Sequence, residues 1–256
     1  MSIALSVNLN KIALIRNSRE GNFPSVVEFG RIALEEGAQG LTVHPRPDQR
    51  HIRPQDVLDI ADLVAQYSKR EFNIEGNPFA APLGDYPGLL ALVEQTQAQQ
   101  CTLVPDSQAQ LTSDHGFDLT QDFERLKPIV QQLKQWNVRI SLFMDPDIQQ
   151  IQLASKLGVD RIELYTGPFA EAFNKQKNYN DSGSLDASYQ RYQAAAECAH
   201  DLGLGVNAGH DLNLDNMQRF KHLPALLEVS IGHALTVDAL HRGMKNTVQA
   251  YLQVCN

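Results

Sequence analysis

The chain has 256 residues and a mass of 28.5 kDa, 43% hydrophobic and 20% charged, enough for one barrel-sized globular unit and too little for two full domains. With 22 Lys and Arg against 30 Asp and Glu the net charge is −8, which argues against a general nucleic-acid or membrane-surface binder and requires any anionic partner to be held by local cations. Cys101, Cys198 and Cys255 are scattered, with neither CxxC nor paired spacing, which fits a reducing cytoplasm. The apolar stretch from Ile3 to Ile15 is broken by Ser6, Asn8, Asn10 and Lys11 too early to be a signal core or a membrane span.

Eight short β-branched or apolar runs recur along the chain: Ile3–Asn8, Gly40–His44, Phe72–Glu75, Cys101–Val104, Arg139–Phe143, Arg161–Tyr165, Gly205–Ala208 and Leu227–Ile231. Each is followed by a stretch with helical spacing, the alternation of a parallel sheet with crossover helices. Val57, Ile60, Ala61 and Val64 share one helical face, as do Val237, Leu240, Met244, Val248 and Leu252 near the end. A local unit repeats in EEGAQGLTV, QWNVRISLF, KLGVDRIEL and DLGLGVNA, where Gly37, Asn137, Gly158 and Gly203 suit the left-handed position that ends a helix. Eight units in this length predict an α/β fold, a (β/α)8 TIM barrel with short extra helices, as a single domain over residues 1–256. No GxGxxG or GxxxxGK[ST] supports a nucleotide-binding alternative. Pro128 interrupts the apolar pattern Phe123, Leu126, Val130, Leu133, so one helix is expected to stop near Lys127 and another to start there. The polar stretch from Thr166 to Leu185 reads as a long loop after the sixth strand, suited to act as a lid.

In such a barrel the C-terminal ends of all strands share one face, so residues distant in sequence converge there. The first strand brings Asn8, Asn10 and Lys11; the second His44, Arg46, Arg50 and His51; the third Glu75. The fourth leads to Pro105 and Thr112, the fifth to Asp145, the sixth to Glu163 and Thr166, the seventh to Asn207 and His210, and the eighth to Gly232 and His233. Four of the eight histidines fall on this rim, while His115, His200, His222 and His241 read as surface residues. Residues 1–53 hold seven cations against five acids, a balance of +2 that leaves −10 for the remainder. Basic loops in an acidic protein suggest a phosphate or carboxylate substrate, because a guanidinium fork matches those oxyanions.

A histidine at a strand end, such as His44, works as acid or base near neutral pH or merely caps carbonyls. Glu75, ending an apolar strand, is a candidate general base or the partner of a nearby arginine. Asp211 or Asn213 could cap a helix after His210, and the helix start at His233 would offer amides to a phosphate. His-x-His and HExxH are absent, so neither a metal nor another cofactor is expected.

These residues lie in motifs that together resemble the pyridoxine 5'-phosphate synthase family. The resemblance runs in order through SVNLNKIALIRNSR, GLTVHPRPDQRHI, FNIEGNP, CTLVPDSQAQLTSDHG, ISLFMDPD, DRIELYTGPFA, VNAGHDL and EVSIGHAL. It implies condensation of 1-deoxy-D-xylulose 5-phosphate with 3-amino-2-oxopropyl phosphate, with His44 and Glu75 as proton acceptors and His210 as proton donor. It assigns Asn8, Arg19, Gly232 and His233 to the aminooxopropyl phosphate, and Arg46, His51 and Thr112 to the deoxyxylulose phosphate. The commoner pattern has Asp-His where this chain has Asn10-Lys11, and Gly where it has Asp211, so those three match a second branch of the family. The resemblance also implies small phosphorylated substrates as partners, neither nucleic acid nor membrane, and a homo-oligomer, an octamer built from dimers. Other readings of the same residues are a different phosphosugar isomerase or aldolase on this barrel, or a non-catalytic phosphometabolite-binding barrel.

Overall fold

The computed structural model describes residues 2–107, 109–179 and 182–256. Among them, eight parallel strands close into a barrel in chain order: β1 (Ala4–Asn8), β2 (Gly40–Val43), β3 (Glu71–Gly76), β4 (Gln100–Leu103), β5 (Arg139–Met144), β6 (Arg161–Tyr165), β7 (Gly205–Gly209) and β8 (Leu226–Ile231). The principal crossover helices are α2 (Val26–Glu35), α3 (Pro54–Val64), α4 (Leu89–Thr96), α5 (Leu119–Gln135), α6 (Ile148–Leu157), α8 (Ser182–Asp201) and α11 (Met244–Cys255). Added to these are α1 (Asn10–Asn17), α7 (Gly167–Tyr179), α9 (Met217–Phe220) and α10 (His233–Arg242). This is the expected TIM barrel. Helix starts follow sequence chemistry, with Ser25, Asp118 and Asp147 accepting first-turn amides of α2, α5 and α6. Gly37, Asn137, Gly158 and Gly203 all have positive φ after a helix, as the repeated unit predicts.

Most strand residues alternate, and the alternation sorts chemistry between two environments. Leu5, Val7, Leu41, Val43, Phe72, Ile74, Cys101, Leu103, Ile140, Leu142, Ile162, Leu164, Val206 and Val229 belong to the buried apolar core. Many of the intervening residues are polar, and they bond to one another inside the lumen: Thr102 Oγ1 donates to Asn73 Oδ1 (3.1 Å) and Ser6 pairs with Thr42 (2.7 Å) between neighbouring strands, while Gln100 Nε2 donates across to Glu228 Oε1 (3.2 Å). At the N-terminal end the lumen is plugged by ions, with Arg139 on Glu71 and Glu228, and Arg161 Nη1 on Glu228 Oε2 (2.8 Å) and Asn207 Oδ1 (2.9 Å). A cavity of about 240 Å³ beside this plug has its Arg and Glu side chains already paired, so it offers little to a ligand.

Three local expectations are corrected. α5 runs through Pro128 without a break, because the ring sits on the exposed side, where water can serve the carbonyl left without a donor, while Leu126, Val130 and Leu133 anchor the helix on the core. The stretch after β6 is helical rather than a loop. In α7, Phe169 is fully buried against Phe173, Tyr189, Tyr192 and Phe220, with ring centroids 4.9–6.4 Å apart, an apolar anchor that the surrounding polar residues obscure. Residues 180 and 181 of the expected lid lie outside the described residues. Finally, the apolar face near the end is split at Gly243 (φ 77°), so Met244 and Val248 pack on the core while Val237 and Leu240 of α10 stay exposed.

Candidate active site

At the C-terminal end of the strands a cavity of about 320 Å³ opens. It is lined by Asn8, Asn10, Lys11, His44, Arg46, His51, Glu75, Thr112, His210, Asp211, Gly232 and His233. The residues assigned to catalysis or substrate binding are therefore in one place except Arg19, which is exposed just beyond α1 and outside the lining; of the other residues placed on this rim from the sequence, Pro105, Asp145, Thr166 and Asn207 do not line the cavity, and Asn207 instead accepts from Arg161 in the N-terminal plug. The four other histidines are exposed, as expected.

Glu75 closes the floor. It is 8% exposed; Oε2 lies 3.4 Å from Asn8 Nδ2 and 3.7 Å from His44 Nδ1, while Oε1 is 3.4 Å from both Asn73 Nδ2 and Ser230 Oγ. Long contacts of this kind leave the carboxylate room to take up a proton. Asn10, opening α1, accepts the His44 backbone N–H on Oδ1 (2.9 Å) and gives its own N–H to Asn8 Oδ1 (3.0 Å), tying the ends of β1 and β2 together. Where the chain departs from the commoner motif, Asn10 thus has a structural task and Lys11 faces the cavity.

His44 is buried between two carboxylates, with Nε2 3.0 Å from Asp106 Oδ2 and Nδ1 facing Glu75. Burial works against charge on the ring, but Asp106 and then Glu75 outweigh it and raise the pKa to about 9. His51 goes the other way. Its burial and the neighbouring charges of His44, Arg46, Lys11 and Arg50 lower it to about 3, so it is neutral at physiological pH. Its Nδ1 accepts the Ile52 N–H (2.8 Å), which assigns the proton to Nε2 and makes His51 a donor rather than an acid or base. Arg16, buried and paired with Asp56, fixes that loop by donating to the His51 carbonyl (3.0 Å).

His210 sits at φ 92°, a conformation costly for a residue with a Cβ and often tolerated only where function requires it. Its Nδ1 is 2.9 Å from Asp211 Oδ2 and its Nε2 2.6 Å from Thr112 Oγ1. The bond from His210 holds the Asp211 carboxyl below the usual carboxylate range, and a carboxylate on Nδ1 places that nitrogen's proton and leaves Nε2 toward Thr112 and the cavity. Asp211 therefore serves His210 rather than a helix, and Asn213 accepts the Asp215 and Asn216 amides ahead of α9. Gly232 precedes α10 and His233 opens it, so the helix's first amides face the cavity without intrahelical acceptors.

The cationic loops are less free than composition suggests. Arg46 is 5% exposed, its Nη2 2.6 Å from Asp106 and its Nη1 donating to the Ser107 (3.2 Å) and Gln110 (3.1 Å) carbonyls; Arg50 pairs with Asp48 and donates to Gln110 O (2.7 Å). Both brace the segment after β4 that carries Thr112 over the pocket. The stretch after β6 borders the site as well, its Gly167, Glu171 and Asn174 lining a neighbouring cavity together with His210, Asp211 and His233.

Sequence reasoning missed two buried acids. Asp106 follows Pro105 in a stretch with no periodicity to mark it. Glu163 is the alternating residue of β6, visible as a strand end but without a role until the lumen is seen to be polar. It is 4% exposed, close to Thr102 Oγ1 (3.4 Å), and burial together with the charges of Glu75 and Glu228 raises its pKa well above the carboxylate range. At the cavity floor these surroundings favour the protonated form of Glu163. Among the described residues no group of three or more His, Cys, Asp or Glu is arranged to hold a metal ion, and no helix is long and apolar enough to cross a membrane.

Comparison with known proteins places this geometry. Residues 5–256 match a family model described as "Pyridoxal phosphate biosynthesis protein PdxJ". The chain is 51% identical over 255 residues to a pyridoxine 5'-phosphate synthase of Xanthomonas axonopodis pv. citri, covering 99% of this chain and 97% of that protein. It is 49% identical over 251 residues to the Xylella fastidiosa protein of the same name, covering 98% and 94%. Among solved structures, the tryptophan synthase alpha chain of Legionella pneumophila superposes with a TM-score of 0.63 at 12% identity, over 99% of this chain and 92% of that one, a likeness of fold alone.

Proposed function

The chain belongs to the PdxJ family of pyridoxal phosphate biosynthesis proteins, and on that premise we propose that it is a pyridoxine 5'-phosphate synthase, one barrel domain working in the cytoplasm as a homo-oligomer. It condenses 1-deoxy-D-xylulose 5-phosphate with 3-amino-2-oxopropyl phosphate, releasing phosphate and water. The observation that carries the reading is the convergence of His44, Glu75 and His210 with Lys11, Arg46, His51 and His233 around one cavity. Imine formation, loss of phosphate, hydration and ring closure each move protons, and a site with several acid/base groups of different character suits that sequence.

Division of labour follows from the environments. Glu75, loosely held, accepts protons. His210, with Asp211 on Nδ1, exchanges a proton through Nε2. His51 and Glu163 stay neutral and donate hydrogen bonds to substrate oxygens. Lys11 and the start of α10 hold phosphate groups. A non-catalytic binding barrel would need the cations but not these proton-transfer groups. Arg19 keeps its assignment to the aminooxopropyl phosphate through the resemblance. The test is direct: purified protein with both substrates should yield pyridoxine 5'-phosphate without added nucleotide or metal. Binding of both without product would overturn the reading in favour of a sensor, and activity lost to a chelator and restored by zinc would refute the metal-free part.

A further inference from the structure

His44 and Arg46 both lie against a side chain that none of the roles above uses. Asp106 is 6% exposed, and its backbone is fixed by Asn77, whose Nδ2 donates to the Asp106 carbonyl (2.6 Å). Its Oδ2 lies 3.0 Å from His44 Nε2 and 2.6 Å from Arg46 Nη2, angled so that neither approach is a well-aligned hydrogen bond. The contact is chiefly between charges, and at this burial an unpaired carboxylate would be costly. Its placement also decides which edge of the imidazole faces the reaction. With Nε2 turned to Asp106, the free edge is Nδ1, on the side of Glu75 and the cavity.

Building on the proposed synthase activity, we propose that Asp106 is a positioning residue that, through its contacts with His44 Nε2 and the Arg46 guanidinium, presents His44 to the substrates as a proton donor. The resemblance gives His44 to proton acceptance, but a ring charged at neutral pH has no lone pair to offer and two N–H groups to give. The step is an elimination of water: Glu75 takes a proton from the carbon next to the one bearing the hydroxyl, that C–H pair forms the new C=C bond, the C–O bond breaks with its electron pair on oxygen, and the His44 Nδ1 proton passes to that oxygen. The ring is left neutral with Nε2–H still against Asp106. Proton acceptance then rests with Glu75.

The charged and titratable groups around the ring are Asp106 from the β4 segment, Glu75 from β3, and Arg46 and His51 from the β2 loop; Lys11 of α1 and Arg50 line the same cavity. The net effect on His44 is set by the two carboxylates, so removing one charge by the near-isosteric Asp106→Asn isolates its share. Titration of the His44 ring is to be followed by NMR, its signal assigned by its loss in His44→Gln, with product formation measured over the same pH range. In the parent the ring should titrate near pH 9. In Asp106→Asn it should titrate at least one unit lower, and kcat/KM should fall at least about twofold more at pH 8 than at pH 6, because the alkaline limb moves down. Asp106→Glu should restore both. A parent ring that titrates between pH 6 and 7 overturns the proposal without any variant. So does a rate loss in Asp106→Asn that is equal at every pH, the mark of a merely structural carboxylate. If the parent makes no product, the synthase reading fails, while the ring titration still reports on Asp106.

Discussion

Glu163→Gln separates the electrostatics of the polar lumen from its packing. In the fold, burial and the charges of Glu75 and Glu228 oppose ionisation of Glu163 and no cation pairs with it among its described contacts, so its protonated form is favoured. In the unfolded chain it ionises around pH 4.3. Above that pH the folded state binds one more proton than the unfolded state. The stability due to this group is therefore fully present below the unfolded value and declines as pH rises toward the folded one, by about 1.4 kcal/mol per pH unit. Glutamine has nearly the same shape, keeps an acceptor for Thr102 and has no proton to lose. Urea unfolding of parent and variant, at one protein concentration and half-unit steps from pH 4.5 upward, should give similar stabilities at the acid end. The difference should then grow in favour of the variant by about 1.4 kcal/mol per unit, levelling off where Glu163 ionises in the fold. A difference independent of pH between 5 and 7 would mean that Glu163 is already ionised in the fold, and would remove its role as a neutral donor. Fixed concentration matters because assembly would add its own term to both curves.

Three further outcomes follow from the site. Glu75→Gln and His210→Asn should each lower kcat by about 10²–10⁴-fold with unchanged circular dichroism, since each removes a proton-transfer group; near-parent rates would dismiss the assignment. Asp211→Asn should lower kcat about 10–100-fold, the value of a charge-assisted bond to a ring nitrogen, with both KM values nearly constant; a change confined to KM would make Asp211 a substrate contact instead. Lys11→Ala should raise KM for the deoxyxylulose phosphate at low ionic strength with little effect on the other substrate. Lys11→His should make that affinity fall as pH rises from about 6 to 8, through a histidine's usual value of about 6.5; parent-like constants in Lys11→Ala would show that the ammonium serves solvent.

What could be read before the fold was known depended on how local the cause was. The barrel was legible because alternation and positive-φ stops such as Gly37 and Gly158 act within a few residues. The strand-end rule then gathered His44, Glu75 and His210, since closure puts those ends on one face whatever the loops do. Pro128 misled because a local rule was applied without knowing that its side of the helix meets water, and α7 was missed because Phe169 finds Tyr192 and Phe220 only after the chain has passed through α8 and β7. The same limit governed the charges. Arg46 reads as a phosphate ligand with no hint that Asp106, 60 residues away, lies 2.6 Å from it, and Asp106 in turn has no meaning until β2 and β4 bring it to His44. The residue types at a strand end therefore announce chemistry, whereas the protonation state in which each enters the reaction is set by partners from other strands. His44 and His51, seven residues apart on one loop and equal in the sequence, illustrate the point: one is held charged by two carboxylates, and the other is kept neutral by burial and the surrounding cations.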